Sequence, residues 1–210
     1  MDVKTAIRHG DAAALRLLLS EDASRADALI RWGDNDSIYT HPLHYVSDMI
    51  FQSTLKREAA LPLIDALIQA GADLDFQRNG KGDTPLIGAA SLIAEDVGIR
   101  LLEAGANPRL RGIFGETALH WSAMLGEDRL SKKLIPVSDI DLMDEKYNSP
   151  PLGWAMHQYF DSLERNREKQ LRIVAYLVAA GATVEPERIN SDPVRNDPAM
   201  LAVLTGRSTS

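Results

Sequence analysis

The chain has 210 residues, 45% of them hydrophobic, a formal net charge of −7 and no cysteine. The apolar share is enough for a continuous core and excludes wholesale disorder, and the missing cysteines exclude a disulfide framework and any thiolate site. The negative field repels phosphate backbones, which sets nucleic acid aside as a partner, and no apolar run reaches the length of a membrane span.

Aromatic residues make up only 6% of the chain. That scarcity suits closely packed helices better than strands, which favour β-branched and aromatic side chains. The first ten residues, Met1 to Gly10, carry no apolar stretch of signal-peptide length, so the expectation is a cytoplasmic protein. Val3 to His9 and Ala12 to Leu19, split by Gly10-Asp11, predict a first helix pair. With the connector that follows, residues 1–35 form an N-terminal cap. The stretch Ala28 to Tyr39, containing Trp32, Gly33 and Asp34-Asn35-Asp36, exceeds an ordinary turn. It reads either as a flap or as an elaborate turn.

Beyond it the chain repeats itself. Four segments open alike: His41-Pro42-Leu43-His44, Thr84-Pro85-Leu86-Ile87, Thr117-Ala118-Leu119-His120 and Pro150-Pro151-Leu152-Gly153. Their leucines are 43, 33 and 33 residues apart. A second mark follows each: Ala70-Gly71-Ala72, Ala104-Gly105-Ala106, Val137-Ser138-Asp139 and Ala180-Gly181-Ala182. Thr-Pro opens a helix, because Thr caps it and Pro fits a first turn that needs no amide partner. Gly71, Gly105 and Gly181 sit where a left-handed residue closes the second helix. One such pair cannot bury its own apolar face, so pairs must stack. The units run over 36–78, 79–111, 112–144 and 145–184. Residues 185–210 form a C-terminal cap whose last helix starts at Asp197-Pro198 and ends at Gly206, with a frayed tail from Arg207. The long first and last units carry insertions at Ser47 to Ala60 and Met156 to Gln170, both rich in helix formers. They predict lengthened helices, with Pro62 at the start of the second helix of the first unit.

The two marks recurring in phase resemble the ankyrin repeat, and the chain as a whole is most similar to a small stand-alone bacterial ankyrin-repeat protein. The resemblance implies an all-α fold: one α-solenoid domain of stacked helix-turn-helix units with β-turn or hairpin tips, two of them with lengthened helices. His41 and Pro150 replace the opening Thr, and Val137-Ser138-Asp139 replaces Ala-Gly-Ala; these departures concern local turn geometry.

The resemblance also implies a non-catalytic scaffold that grips a protein or peptide in a concave groove. The position two after the anchor leucine would face that groove, where Tyr45, Gly88, Trp121 and Trp154 stand. One turn later come Met49, Leu92, Leu125 and Gln158. The aromatic residues form either an exposed ridge, which would suit an interface, or core between neighbouring helices. Phe114 and Tyr147 fall at turn tips. The net charge points to a partner surface bearing Lys and Arg, and the chain is expected to be a monomer. No catalytic motif or phosphate loop is present, and no cofactor or metal is expected. Two alternatives remain: a metal-binding protein or enzyme using His41, His44 and Asp48, and a self-associating structural protein. His44 and His120 hold the motif's own histidine position, where the resemblance implies a hydrogen bond to turn backbone.

Overall fold

The computed structural model describes residues 1–161 and 167–206. Part of the second insertion (162–166) and the expected frayed tail (207–210) lie outside the described residues. Among the described residues the fold is all-α apart from one two-stranded sheet. Its contacts separate it into two compact units, Met1–Ile113 and Phe114–Ser210.

The N-terminal unit holds α1 (Val3–His9), α2 (Ala12–Glu21), β1 (Ile30–Trp32), β2 (Ile38–Thr40), α3 (Pro42–Phe51), α4 (Arg57–Gln69), α5 (Pro85–Ser91) and α6 (Glu95–Glu103). Helix α3 packs against both α1 and α5, and α4 packs against both α2 and α6. The first and second members of each pair therefore make two layers. Leu43, Leu63, Leu67, Leu86 and Leu101 between them are fully buried. Truncating one such leucine to alanine costs about 2–5 kcal/mol.

The C-terminal unit holds α7 (Ala118–Leu125), α8 (Asp128–Leu134), α9 (Pro151–Asp161), α10 (Arg167–Ala179), α11 (Pro186–Ile189), α12 (Asp192–Arg195) and α13 (Pro198–Thr205). Helix α7 packs on α9, α8 on α10, and α10 also meets α13. Leu119 and Leu152 are again fully buried.

Local chemistry explains the helix ends. The Thr84 hydroxyl accepts from the Ile87 amide at 3.2 Å, and Gly71, Gly105 and Gly181 have φ of 87°, 104° and 93°. His41 takes the place of a capping threonine by accepting the Leu43 amide on Nδ1 at 3.3 Å. The segment without a glycine, Val137-Ser138-Asp139, ends differently: α8 runs into a 3-10 turn over Ile135–Val137, which leads to an extended Ser138. Behind three of the helix pairs the chain makes the same small turn. The amides of Asp75, Arg109 and Asp141 donate to the side chains of Asp73, Asn107 and Asp139 at 3.0, 3.0 and 3.2 Å.

One sequence expectation is corrected and another resolved. Pro62 does not open a helix but lies inside α4, which begins at Arg57. Residues 57–61 supply enough helix formers to extend the helix backward, and Pro62 sits on its exposed side. Of the two readings of the connector after α2, the elaborate turn is the one that fits. It forms an antiparallel hairpin with Ile30 opposite Thr40 and Trp32 opposite Ile38, a pattern legible in the β-branched and aromatic residues on both sides of Gly33-Asp34-Asn35-Asp36.

Candidate functional site

The residues singled out for binding separate by burial. Tyr45 and Met49 are 1% and 2% exposed, and Tyr45 meets the ring of Trp32 edge-on at 5.6 Å. They are core of the N-terminal unit and no part of an exposed ridge. Leu92, Leu125 and Gln158 are half-buried. Trp154 is 5% exposed, so it too is mainly core, while Trp121 is half-buried and Phe114 and Tyr147 are exposed. Helical spacing alone could not tell the two environments apart, since the neighbouring helix decides which side of a first helix is covered.

In the C-terminal unit three of these rings converge. Trp121 stands nearly perpendicular to Trp154, with centroids 5.1 Å apart and planes at 84°, and Tyr147 meets Trp154 at 5.8 Å. They border a cavity of about 400 Å³ completed by Met124, Gly153, His157 and Arg188. Its volume lies within the range of small-ligand and side-chain pockets.

The rings are fixed from behind. Trp154 Nε1 donates to Asp144 Oδ2 at 3.0 Å, and Trp121 Nε1 donates to Glu116 Oε1 at 3.0 Å. Both carboxylates are buried. Asp144 also accepts the amides of Lys146, Tyr147 and Ser149 at 2.8, 2.6 and 3.1 Å, so one side chain shapes the whole turn that carries Tyr147. Burial pushes the Asp144 pKa up, but these donors outweigh it and hold the carboxyl below its usual range. Glu116 Oε2 accepts the Phe114 amide at 2.8 Å. The Lys146 ammonium stands over Phe114 at 4.4 Å and Tyr147 at 5.1 Å. His120 closes the base: its Nδ1 accepts from the Thr117 amide at 3.1 Å, its Nε2 donates to the Leu142 carbonyl at 3.0 Å, and its ring lies 5.4 Å from Trp154. Burial lowers its pKa, which keeps the imidazole neutral and suits this division of roles.

Arg188 was not singled out from the sequence. It lies on α11, and its Nε donates to Glu185 Oε2 at 2.6 Å. The guanidinium rests against α9 because residue 153 is glycine. A β-carbon there would collide with the Ser149 hydroxyl and stand 2.9 and 3.1 Å from Nη1 and Nη2 of Arg188. No sequence signal links an arginine near the C-terminus to a glycine 35 positions earlier. The contact exists only once α9 and α11 are in place.

His41, His44 and Asp48 do not gather as a ligand set. His41 Nε2 pairs with Asp27 Oδ1 at 2.9 Å, His44 Nε2 donates to the Asp83 carbonyl at 2.8 Å, and Asp48 accepts from Thr40 at 3.4 Å. Among the described residues no group of three or more His, Cys, Asp or Glu could hold a metal ion. No helix among them is long and apolar enough to cross a membrane.

No protein-family model matches this chain, and no curated protein is found to be similar to it.

Proposed function

We propose that the protein is a non-catalytic binding module that docks a partner protein or peptide in the cavity bordered by Trp121, Tyr147 and Trp154. The observation that carries this reading is the fixed aromatic wall. Both indole N–H groups and the turn bearing Tyr147 are tied to buried carboxylates, so the surface is ordered before any partner arrives. Preorganised aromatic side chains lose little entropy on binding, which is why Trp and Tyr dominate interface energetics.

We further propose that the helix pairs are ankyrin-type repeats. The 33-residue spacing supports this, as do the buried anchor leucines and the recurring turns at Asp73, Asn107 and Asp139. So do the histidine bonds of His44 and His120 to turn carbonyls.

The reading is tested with Tyr147→Ala. Tyr147 is 61% exposed, so its loss should change stability by less than about 0.5 kcal/mol. A partner captured by cross-linking, identified and purified should then bind this variant about tenfold more weakly than the wild type, by calorimetry. Equal affinity for both proteins would overturn the reading. Trp154→Ala is a poorer probe, because it would remove core packing as well.

A further inference from the structure

We infer that the aromatic cavity receives the carboxyl terminus of a partner chain that ends in an aromatic or large aliphatic residue, with the carboxylate held by Arg188. This rests on the binding reading above and names the chemistry of the bound end.

The argument starts from the arginine. Its side chain is 26% exposed, and Nε is committed to Glu185, an ion pair that fixes the plane of the group. Among the described residues neither Nη1 nor Nη2 donates a hydrogen bond. A half-buried guanidinium with its outer fork unused matches a carboxylate, which accepts two parallel N–H bonds. Gly153 gives the group its place, since any side chain there would displace it.

A cationic guest fits less well, although aromatic walls often suggest one. The Lys146 ammonium already stands over the faces of Tyr147 and Phe114, and Arg188 lines the cavity itself. A second cation brought beside these groups would be repelled. The expectation of a Lys- or Arg-bearing partner came from the net charge of the whole chain. Within the cavity lining itself the guanidinium of Arg188 favours an anionic group.

Position then selects the terminus over an internal acid. Arg188 and the aromatic wall line one cavity of about 400 Å³, so the carboxylate and the apolar group must enter together. Along an extended peptide successive side chains point to opposite sides, which separates an internal Asp or Glu from its apolar neighbour. A last residue carries both groups on one α-carbon. A second cavity of about 530 Å³ shares Gly153, His157 and Arg188, but Asp161 and Glu187 line it and would repel the carboxylate. That places the charge on the aromatic side of Arg188.

The test is a titration of the full ¹⁵N-labelled chain with three probes: N-acetylphenylalanine, its amide, and N-acetyl-Phe-Glu-amide, in which the carboxylate is internal. The indole N–H resonances of Trp121 and Trp154 report binding. The acid should bind about tenfold more tightly than either other probe. Arg188→Gln should bring the acid down to the level of the amide, Arg188→Lys should restore only part of the difference, and the Trp32 resonance and Tm should stay unchanged in both. Equal binding of acid and amide, or of the internal acid, would overturn the assignment to a chain terminus while leaving the cavity a binding site. Undiminished binding of the acid by Arg188→Gln would also overturn it. If no probe moved either indole resonance, this inference and the binding reading would both fall.

Discussion

Ile93 has a φ of 57°, a left-handed conformation that crowds a β-branched side chain. The corresponding place after α7, seven residues past the anchor leucine, belongs to Gly126 with φ 75°. The Ile93 side chain is 43% exposed, so it recovers little by packing, and its carbonyl accepts Arg57 Nη1 at 2.6 Å. Strain at such a residue is about 1–2 kcal/mol. Ile93→Gly is therefore expected to stabilise the protein by about 1 kcal/mol in urea denaturation, net of lost apolar contact and the added freedom of the unfolded chain. A loss of stability would show that packing of the isoleucine outweighs the strain. Local sequence does not mark this feature, because glycine is the residue that signals a left-handed helix end and here the turn is made without one.

The last helix shows how much one element owes to a single side chain. Asp197 caps α13 by accepting the Met200 amide at 2.9 Å. Its other oxygen accepts Tyr159 Oη from α9 at 2.9 Å and Arg167 Nη2 from α10 at 2.7 Å. Asp197→Ala removes a cap and the counter-charge of an arginine whose side chain is 40% exposed, which should cost about 1–2 kcal/mol. Amide exchange within α13 should quicken more than in α7; uniform protection in the variant would argue against a local tie. The cap was legible in the dipeptide Asp197-Pro198, and the helix bounds followed from it and from Gly206. The other two bonds were not, because Tyr159 and Arg167 lie 38 and 30 residues away and meet Asp197 only through packing. The same limit applies to the cavity. Trp121, Tyr147 and Trp154 could be marked as candidates from their phase in the repeats. Burial of Trp154 and the approach of Arg188 depend on which helix lies alongside, and local sequence does not carry that information. The bonds of His44 and His120 to turn backbone are expected only through the resemblance to the repeat motif and not from local sequence chemistry.

Across the whole molecule, buried imidazoles couple stability to pH. Burial lowers the pKa of His41, His120 and His44, the last from 6.5 to about 4. Their unfolded forms take up protons first, so the stability they allow is complete above pH 6.5 and is lost as pH falls through the folded values. His44 alone accounts for about 3 kcal/mol between pH 6.5 and 4. Asp48 acts in the opposite sense. Burial raises its pKa from 3.8 to about 6, so the folded form binds the proton first and stability rises as pH drops through that window. Denaturation at pH 7 and pH 4.5 should show a net loss in acid. Asp48→Asn should be more stable at pH 7 by roughly 2 kcal/mol and should lose stability more steeply on acidification. Parallel pH profiles for the two proteins would contradict the role given to Asp48.

The perpendicular indoles of Trp121 and Trp154 also have an optical consequence. At 5.1 Å between centroids, excitation passes between them much faster than either ring emits, so the pair behaves as one chromophore with a strong circular dichroism of its own. Trp32, whose ring neighbour is Tyr45, lacks that coupling. The C-terminal unit thus carries a built-in spectroscopic label, sensitive to anything that tilts one ring against the other.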